Sequence, residues 1–270
     1  MDLNTIDEVA HPKARSELPA WTAGDAWLAG GTWLFSEPQS HLHRLIDLAA
    51  LGWPALTIDG NGLSIAATCS VAELDAIACP PDWFAAPLIN QCCRAFLASF
   101  KIWKTATVGG NICMSLPAGP MISLTSALDG VCTIWQADGG ERKVAVFDFV
   151  TGNNTNMLKA GELLRQIDIP LAALKSRSAF RQISLTPLGR SAALLIGTAA
   201  HDGAFALTVT ASTKRPLRLS FKKLPDASEL RETILQAIPD DLYHDDIHGK
   251  PFWRKHMTLR LACEIREELA

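Results

Sequence analysis

Two short stretches carry the residue types that could hold a ligand by its backbone. One is Trp27-Leu28-Ala29-Gly30-Gly31-Thr32 and the other Thr107-Val108-Gly109-Gly110-Asn111, with Pro117-Ala118-Gly119 close behind the second. In each, apolar residues run into a glycine pair and then a short polar side chain. Paired glycines let the backbone take positive φ and approach a ligand with no Cβ in the way. Successive N–H groups in such a turn converge on an anion, as a nest does. Two arms of this kind, about eighty residues apart by count along the chain, suggest a pair of loops gripping one phosphate-bearing ligand, although a lone Gly-Gly is most often an ordinary turn.

The other reactive side chains spell no catalytic centre. The sequence has no G-x-G-x-x-G after its first strand, no P-loop, no G-x-S-x-G elbow and no H-E-x-x-H site. Cysteines stand at 69, 79, 92, 93, 113, 132 and 263. An odd number without a C-x-x-C pair fits neither a disulfide framework nor a zinc ribbon. Nor does it fit the C-x4-C-x2-C run of a plant-type iron–sulfur cluster. Buried reduced thiols are expected, with Cys113 set beside the second glycine pair. His41 and His43 read as solvated loop histidines rather than ligands. Asp241, His244, Asp245, Asp246 and His248 read as a polar loop ahead of the last helix. A chain without nucleophile or metal constellation takes its reactivity from a cofactor.

The elements that must position the two arms follow from the pattern. Residues 1 to about 26 are mixed and Pro-punctuated, with weak helical character. Leu28 ends a buried strand, and Leu45-Ile46-Asp47-Leu48 is another. Leu56–Ile58 and Leu63–Ile65 flank Asp59-Gly60-Asn61-Gly62 as a hairpin. Ser70 to Glu73 spells a capping box that starts a helix at Val71. A longer helix follows Pro80-Pro81, with Phe84, Leu88, Ile89, Cys92, Cys93, Phe96 and Leu97 as its core stripe. Val131–Trp135 and Lys143–Val146 form a second hairpin, Gly152-Asn153-Asn154 is a loop, and Gln166–Ile169 is a strand closed by Pro170. A boundary is expected at 170–178. Beyond it come a strand near Phe180–Ser184, a hairpin from Ala192 to Ala211 around His201-Asp202-Gly203, a helix over Leu230–Ile238, and a terminal helix striped by Trp253, Met257, Leu261 and Ile265.

The ordered set Ala29-Gly30-Gly31-Thr32, Leu45-Ile46-Asp47-Leu48, Thr107-Val108-Gly109-Gly110-Asn111, Asp148-Phe149 with Gly152, Gly161-Glu162-Leu163-Leu164, Ile169-Pro170 and Asp246-Ile247-His248-Gly249 resembles the FAD-binding medium subunit of the xanthine dehydrogenase / carbon monoxide dehydrogenase (molybdenum hydroxylase) family. The resemblance runs from about residue 20 to the end. It implies an α+β fold: a two-lobed FAD-binding domain of the molybdopterin-dehydrogenase (PCMH-like) type over 1–172, then a smaller α+β domain of the CO dehydrogenase flavoprotein type over 178–270. It implies FAD, gripped by Leu28, Ala29, Gly30, Gly31, Thr32 and Trp33 on one arm and Thr107, Gly109, Gly110 and Asn111 on the other. Leu164 matches a position that packs on the flavin, and Arg181 one where the family often has a lysine near it. The implied role is electron transfer, with no catalytic acid or base. A [2Fe-2S] small subunit and a molybdopterin-binding large subunit are the implied partners, and NAD or another acceptor takes the electrons onward.

The sequence departs from that pattern in places. Trp33 replaces the acidic or small residue usual after Ala-Gly-Gly-Thr, Met114-Ser115-Leu116 replaces a small polar run, and Pro120 stands where an aspartate would help hold the cofactor. The one tyrosine, Tyr243, lies far down the chain. These departures imply weaker FAD binding or a pocket reshaped around Trp33. They keep open a flavin-free paralogue acting as an assembly or regulatory scaffold, and a self-sufficient small flavin oxidase or reductase is a further alternative. A net charge of −3 with Lys+Arg 25 against Asp+Glu 28 leaves no basic footprint for nucleic acid. No apolar run reaches the ~18–20 residues of a membrane span, and the N-terminus lacks a signal-peptide pattern, so a cytoplasmic location is expected.

Overall fold

A computed structural model describes residues 3–270. The chain begins with a small parallel sheet, β1 (Glu8–Ala10), β2 (Asp25–Leu28) and β3 (Arg44–Asp47), in the order β1-β3-β2. The helical character expected before residue 26 is confined to a single 3-10 turn at Arg15–Glu17. That turn is fixed from outside: Arg15 lies over the Trp135 ring, 4.6 Å from its centroid, and donates to the Gly140 carbonyl at 2.5 Å. The foot of β2 is held by charge. The buried Asp25 carboxylate accepts from Arg44 Nε at 2.9 Å, Arg44 Nη2 at 2.7 Å and the Thr22 N–H at 2.7 Å.

A five-stranded antiparallel sheet follows. It contains β4 (Leu56–Asp59), β5 (Gly62–Ala66), β6 (Val131–Trp135), β7 (Glu141–Ala145) and, later in the chain, β10 (Leu163–Pro170), in the order β4-β5-β10-β6-β7. Both expected hairpins are present, with β4 paired to β5 and β6 to β7. Between β5 and β6 come α1 (Val71–Asp75), α2 (Pro87–Ala95), α3 (Phe100–Thr105), α4 (Val108–Met114) and α5 (Pro120–Ala127). The capping box of α1 forms in full: the Ser70 hydroxyl accepts from the Glu73 N–H, and Glu73 accepts from the Ser70 N–H. α5 is buried on all sides, as a helix apolar or small around its whole circumference must be. After β7 the chain makes α6 (Val146–Phe149) and the tiny ribbon β8 (Val150–Gly152) and β9 (Thr155–Asn156), turning at Asn154 with φ 53°. β10 then crosses the middle of the sheet.

The stripe expected to form one long helix is divided. Leu88, Ile89, Cys92 and Cys93 are buried on α2, but Phe84 precedes it and Leu97 follows it, and both are exposed. The chain leaves helical geometry at Phe96, with φ −76° and ψ 89°. It restarts at Ser99 as α3, none of whose residues is buried.

Past α7 (Leu171–Leu174), a four-stranded antiparallel meander is formed by β11 (Arg177–Ile183), β12 (Ala193–Ala199), β13 (Phe205–Thr210) and β14 (Leu217–Phe221). α8 (Ala227–Ala237) and α9 (Pro251–Leu269) complete the chain. Alternation along β12 shows how this sheet sits. Leu194 and Ile196 belong to the core of the preceding part of the chain, while Ala193 and Leu195 join Met257, Leu261 and Ile265 of α9. Successive strand side chains point to opposite faces, so the sheet is covered on both. That is why β12 and β13 are buried along nearly their whole length. The fold is α+β.

Candidate functional site

The two glycine stretches meet. Gly30 lies so close to the main chain at Thr105 that a Cβ on it would collide with the Thr105 carbonyl oxygen. Glycine is therefore required there for the close approach. The seam between them opens into a cavity of about 750 Å³. Its walls are Ala29, Gly30, Gly31, Thr32, Trp33 and Leu34 from the first arm, and Ala106, Thr107, Gly110, Asn111, Cys113 and Met114 from the second. Trp27, Phe96, Leu97, Ala98 and Ile102 add an apolar side; Gln39, Leu116 and Asn154 close the remainder.

The two arms differ in what they offer. β2 ends at Leu28, and the chain then makes one isolated helical turn in which the Phe35 N–H reaches the Gly31 carbonyl at 2.8 Å. Gly31 holds φ 67°, and a Cβ there would strike the Phe35 ring. The N–H groups of Gly30, Gly31, Thr32, Trp33 and Leu34 have no hydrogen-bond partner among the described residues. A run of unpaired backbone donors around a glycine pair is an anion cradle.

The second arm is not the loop expected from sequence but the first turn of α4. Thr107 is its N-cap, accepting from the Gly110 N–H at 3.0 Å. The remaining donors are also taken: Val108 N–H by the Cys69 carbonyl at 2.8 Å, Gly109 N–H by Ala67 at 3.0 Å and Asn111 N–H by Thr107 at 3.0 Å. Gly109 is buried, and a Cβ there would lie 2.5 Å from the Ala67 Cβ. Its glycine serves the packing of α4 against the chain leaving β5. Asn111 spends its Oδ1 on the Met121 N–H at 3.1 Å, in the first turn of α5. Pro120 is the first residue of α5 and buried, a position where its missing N–H costs nothing.

The remaining sequence-derived site residues lie away from the cavity wall. Leu28 is the last residue of β2, behind the first arm. Leu164 is buried on β10 in the main core. Arg181 points from β11 to α9, with Nε 3.2 Å from Glu264 and Nη1 2.7 Å from Glu268. Conversely, Phe96, Leu97, Ile102, Gln39 and Asn154 line the cavity without having been singled out as cofactor contacts. Phe96 and Leu97 have the helical periodicity of a core stripe, which hides a place on a cavity wall; Gln39 gives no signal in the sequence.

The lining contains no Asp, Glu, Lys, Arg or His. Its one titratable side chain is Cys113, whose thiol burial pushes up to about 12, so it stays protonated and is a poor nucleophile. Among the described residues no group of three His, Cys, Asp or Glu side chains gathers to hold a metal ion, and His43 instead faces Asp7 at 3.7 Å. Nearby, Trp27 donates its indole N–H to the Glu162 carbonyl at 2.9 Å. The Arg142 guanidinium beside Glu162 holds that carboxyl below the ordinary range. The Arg44 guanidinium does the same for Asp25 at the foot of the first arm. Both ion pairs brace the arm from behind and leave the cavity neutral. No described helix is long and apolar enough to cross a membrane.

A large neutral cavity with an apolar side and a row of free N–H donors suits a dinucleotide whose pyrophosphate is bound by backbone. FAD fits on that ground at the first arm. The second arm supplies wall and packing there.

Comparison with known proteins agrees. The family model "FAD binding domain in molybdopterin dehydrogenase" matches residues 5–172. Caffeine dehydrogenase subunit beta of Pseudomonas sp. (strain CBB1) is 26% identical over 149 residues, 48% of this chain and 48% of that protein. The match thus spans about half the length of that curated relative. Among solved structures, a chain of reconstituted CO dehydrogenase from Oligotropha carboxidovorans superposes with a TM-score of 0.79 at 20% identity, covering 99% of this chain and 98% of that one. A chain of quinoline 2-oxidoreductase from Pseudomonas putida 86 gives 0.74 at 19% identity, with 99% of each covered. At such identities the likeness establishes the fold, the PCMH-like α+β architecture; the family model reaches further, and the chain belongs to the family of FAD-binding domains of molybdopterin dehydrogenases.

Proposed function

We propose that this chain is the FAD-carrying electron-transfer subunit of a molybdenum hydroxylase complex. It takes electrons from a [2Fe-2S] subunit, itself served by a molybdopterin-binding subunit, and passes them to NAD or another acceptor. The observation that carries this reading is the first arm: unpaired N–H groups from Gly30 to Leu34 opening on a cavity with no acid, base or metal ligand in its wall. Such a site binds and orients; it does not transfer protons. FAD, when held there, supplies the redox chemistry. Gly30 and Gly31 let the backbone approach the pyrophosphate, and Thr32, Trp33 and Leu34 continue the row of donors. Trp27, Trp33, Phe96, Leu97 and Ile102 supply apolar surface for flat rings and exclude water from it.

The division of labour follows the chain. Residues 1–172 carry the cofactor in two lobes, and 178–270 form the smaller α+β part that backs them. Leu164 and Arg181 then act at a distance, one through the core and the other through its pairing with α9. A cytoplasmic complex suits the seven free cysteines, which are all unpaired.

An absorption spectrum of gently purified protein tests the proposal, repeated after adding FAD and desalting. Bound flavin in near-equimolar amount, together with co-purifying iron and molybdenum, is the expected result. A colourless protein that refuses added FAD overturns it and favours the scaffold.

A further inference from the structure

A smaller cavity, of about 300 Å³, lies where the two parts of the chain meet. Asn153 and Asn154, from the turn between β8 and β9, line it together with Arg190 and Ser191 of the β11–β12 connection and His244 of the loop ahead of α9. Leu116 and Asn154 also line the larger cavity, so the two share a wall. Ala211 belongs to the lining too and holds φ 62° at 1% exposure. Its N–H is tied to the Pro117 carbonyl at 2.8 Å and its carbonyl to Arg254 Nη1 at 2.7 Å. A non-glycine residue held left-handed by its surroundings is a mark of a ligand site.

The polar groups around this cavity do not satisfy one another. Both carboxylates in the wall are spent: Asp245 is held by Lys250 at 2.9 Å, and Asp246 by the buried Arg254. Arg254 is itself fully engaged, with Nε on the Gly249 carbonyl and Nη1 on the Ala192 and Ala211 carbonyls. Arg190 joins neither pair, and among the described residues its guanidinium makes no ion pair and no hydrogen bond. Ser191 is 3% exposed, yet its N–H finds no acceptor among the described residues. Buried backbone donors are nearly always paired. The Ser191 hydroxyl accepts from Gln182 Nε2 at 2.8 Å, which leaves its proton to give. The side-chain amides of Asn153 and Asn154 are equally uncommitted among the described residues, and the His244 ring meets only Asp246, at 3.4 Å. Burial pushes His244 below its ordinary range, and Arg254, Lys214 and Arg190 add to that against Asp246. One uncompensated guanidinium and a set of spare donors thus face a space with no acceptor to offer them.

We propose that this cavity binds a phosphate group, held by the Arg190 guanidinium, the Ser191 N–H and hydroxyl, His244 and the amides of Asn153 and Asn154. Donors drawn from three separate loops suit the three free oxygens of a phosphate better than a flat carboxylate, and arginine is the side chain that recognises it best. The ligand ties the 153–154 turn to the C-terminal part of the chain and rests on the wall shared with the larger cavity. The site takes no part in the electron transfer proposed above and does not depend on it.

Calorimetric titration of inorganic phosphate into the full chain, flavin-free and FAD-loaded, at constant ionic strength tests this, with glycerol 3-phosphate titrated alongside. Arg190→Gln removes the charge of an exposed residue that makes no contact of its own, so its melting temperature should match the wild type. Lys222→Gln, exposed just past β14, makes the same charge change elsewhere. The expected result is saturable binding in both forms, weakened at least about tenfold by Arg190→Gln as the loss of a charge-assisted bond requires, weakened less by Asn153→Ala, and unchanged in the Lys222 control. Tighter binding of glycerol 3-phosphate makes the ligand a phosphate monoester; the reverse order makes it free phosphate. No saturable binding in the millimolar range, or equal binding by Arg190→Gln, overturns the site. Phosphate that FAD displaces overturns it as a site separate from the cofactor's. A chain that refuses FAD sinks the proposed function, and the flavin-free titration still decides this one.

Discussion

The two glycine pairs, alike on the page, do different work. Gly30-Gly31 leaves its backbone donors unpaired and its turn open to the cavity. Gly109-Gly110 sits in a helical first turn whose donors are all committed to Cys69, Ala67 and Thr107. Gly30 is glycine because the Thr105 carbonyl comes close and Gly31 because it holds φ 67°; at Gly109 the reason is that the chain leaving β5 comes close. The lesson is that a motif assigns a conformation before it assigns a ligand, and only the count of spare hydrogen bonds tells a cradle from a joint.

The difference can be broken experimentally, and the largest effect is expected at the joint. Gly109→Ala places a Cβ 2.5 Å from the Ala67 Cβ and 2.7 Å from its carbonyl oxygen. Neither is the end of a flexible side chain, so the variant should lose about 3 kcal/mol and melt roughly 6–12 °C lower. A variant that melts like the wild type would show that α4 has room to move.

At the cradle the order of effects reverses. Gly31→Ala meets only the Phe35 ring, which can swing aside, and the left-handed φ costs about 1–2 kcal/mol. FAD affinity should fall by at least about tenfold, the equivalent of ~1.4 kcal/mol, while flavin-free protein should melt roughly 2–8 °C lower, less than for Gly109→Ala. Titration of FAD into flavin-free protein measures this. Equal affinity in the two proteins would remove the first arm from the site.

Thr107→Val separates capping from binding on the second arm. Removing the N-cap oxygen should cost about 1 kcal/mol of stability. It frees the Gly110 N–H toward the cavity, so flavin content should hold or rise. A large loss of flavin with no loss of stability would make Thr107 a ligand contact instead.

Acid sharpens the comparison from another side. Asp25 stands directly below the first arm, and its folded carboxyl is held below the ordinary value chiefly by Arg44. A carboxyl lowered in the folded state stabilises the fold above its unfolded pKa of about 3.9. That contribution is lost as pH falls through the lower folded value. The N-terminus of α4 is held by carbonyls and a hydroxyl and has no such dependence. Hydrogen exchange on acidification should therefore open residues 26–34 before 107–111. In Asp25→Asn the pH dependence of that order should shrink to what the Arg142–Glu162 pair still supplies. Simultaneous opening in the wild type would show that the arms unfold as one unit.

Much of this was legible without coordinates because local chemistry spelled it. Asp59-Gly60-Asn61-Gly62 and the Ser70–Glu73 box specify their hairpin and helix start through turn conformation and side-chain capping alone. Leu45–Leu48 and Gln166–Ile169 likewise read as strands from their apolar content, although Leu48 opens a 3-10 turn instead of ending β3. The ordered glycine and leucine pieces were enough to suggest the family and its cofactor. What failed were inferences that needed a neighbour. Phe84 and Leu97 satisfied helical periodicity, yet periodicity cannot say where a helix stops, and the break at Phe96 left Leu97 on a cavity rim. Where the Arg181 side chain goes is likewise set by neighbours: from β11 it meets Glu264 and Glu268.

The amino-acid sequence by itself determined the two hairpins and the helix start at Val71, since these depend on residues a few positions apart. Tertiary structure decided the rest. It brought Gly30 against Thr105, paired the α4 donors with Ala67 and Cys69, and left those of the first arm open. Whether a backbone N–H is free depends on which distant carbonyl lies within reach, and that is set by how sheets and helices pack rather than by any local run of residues.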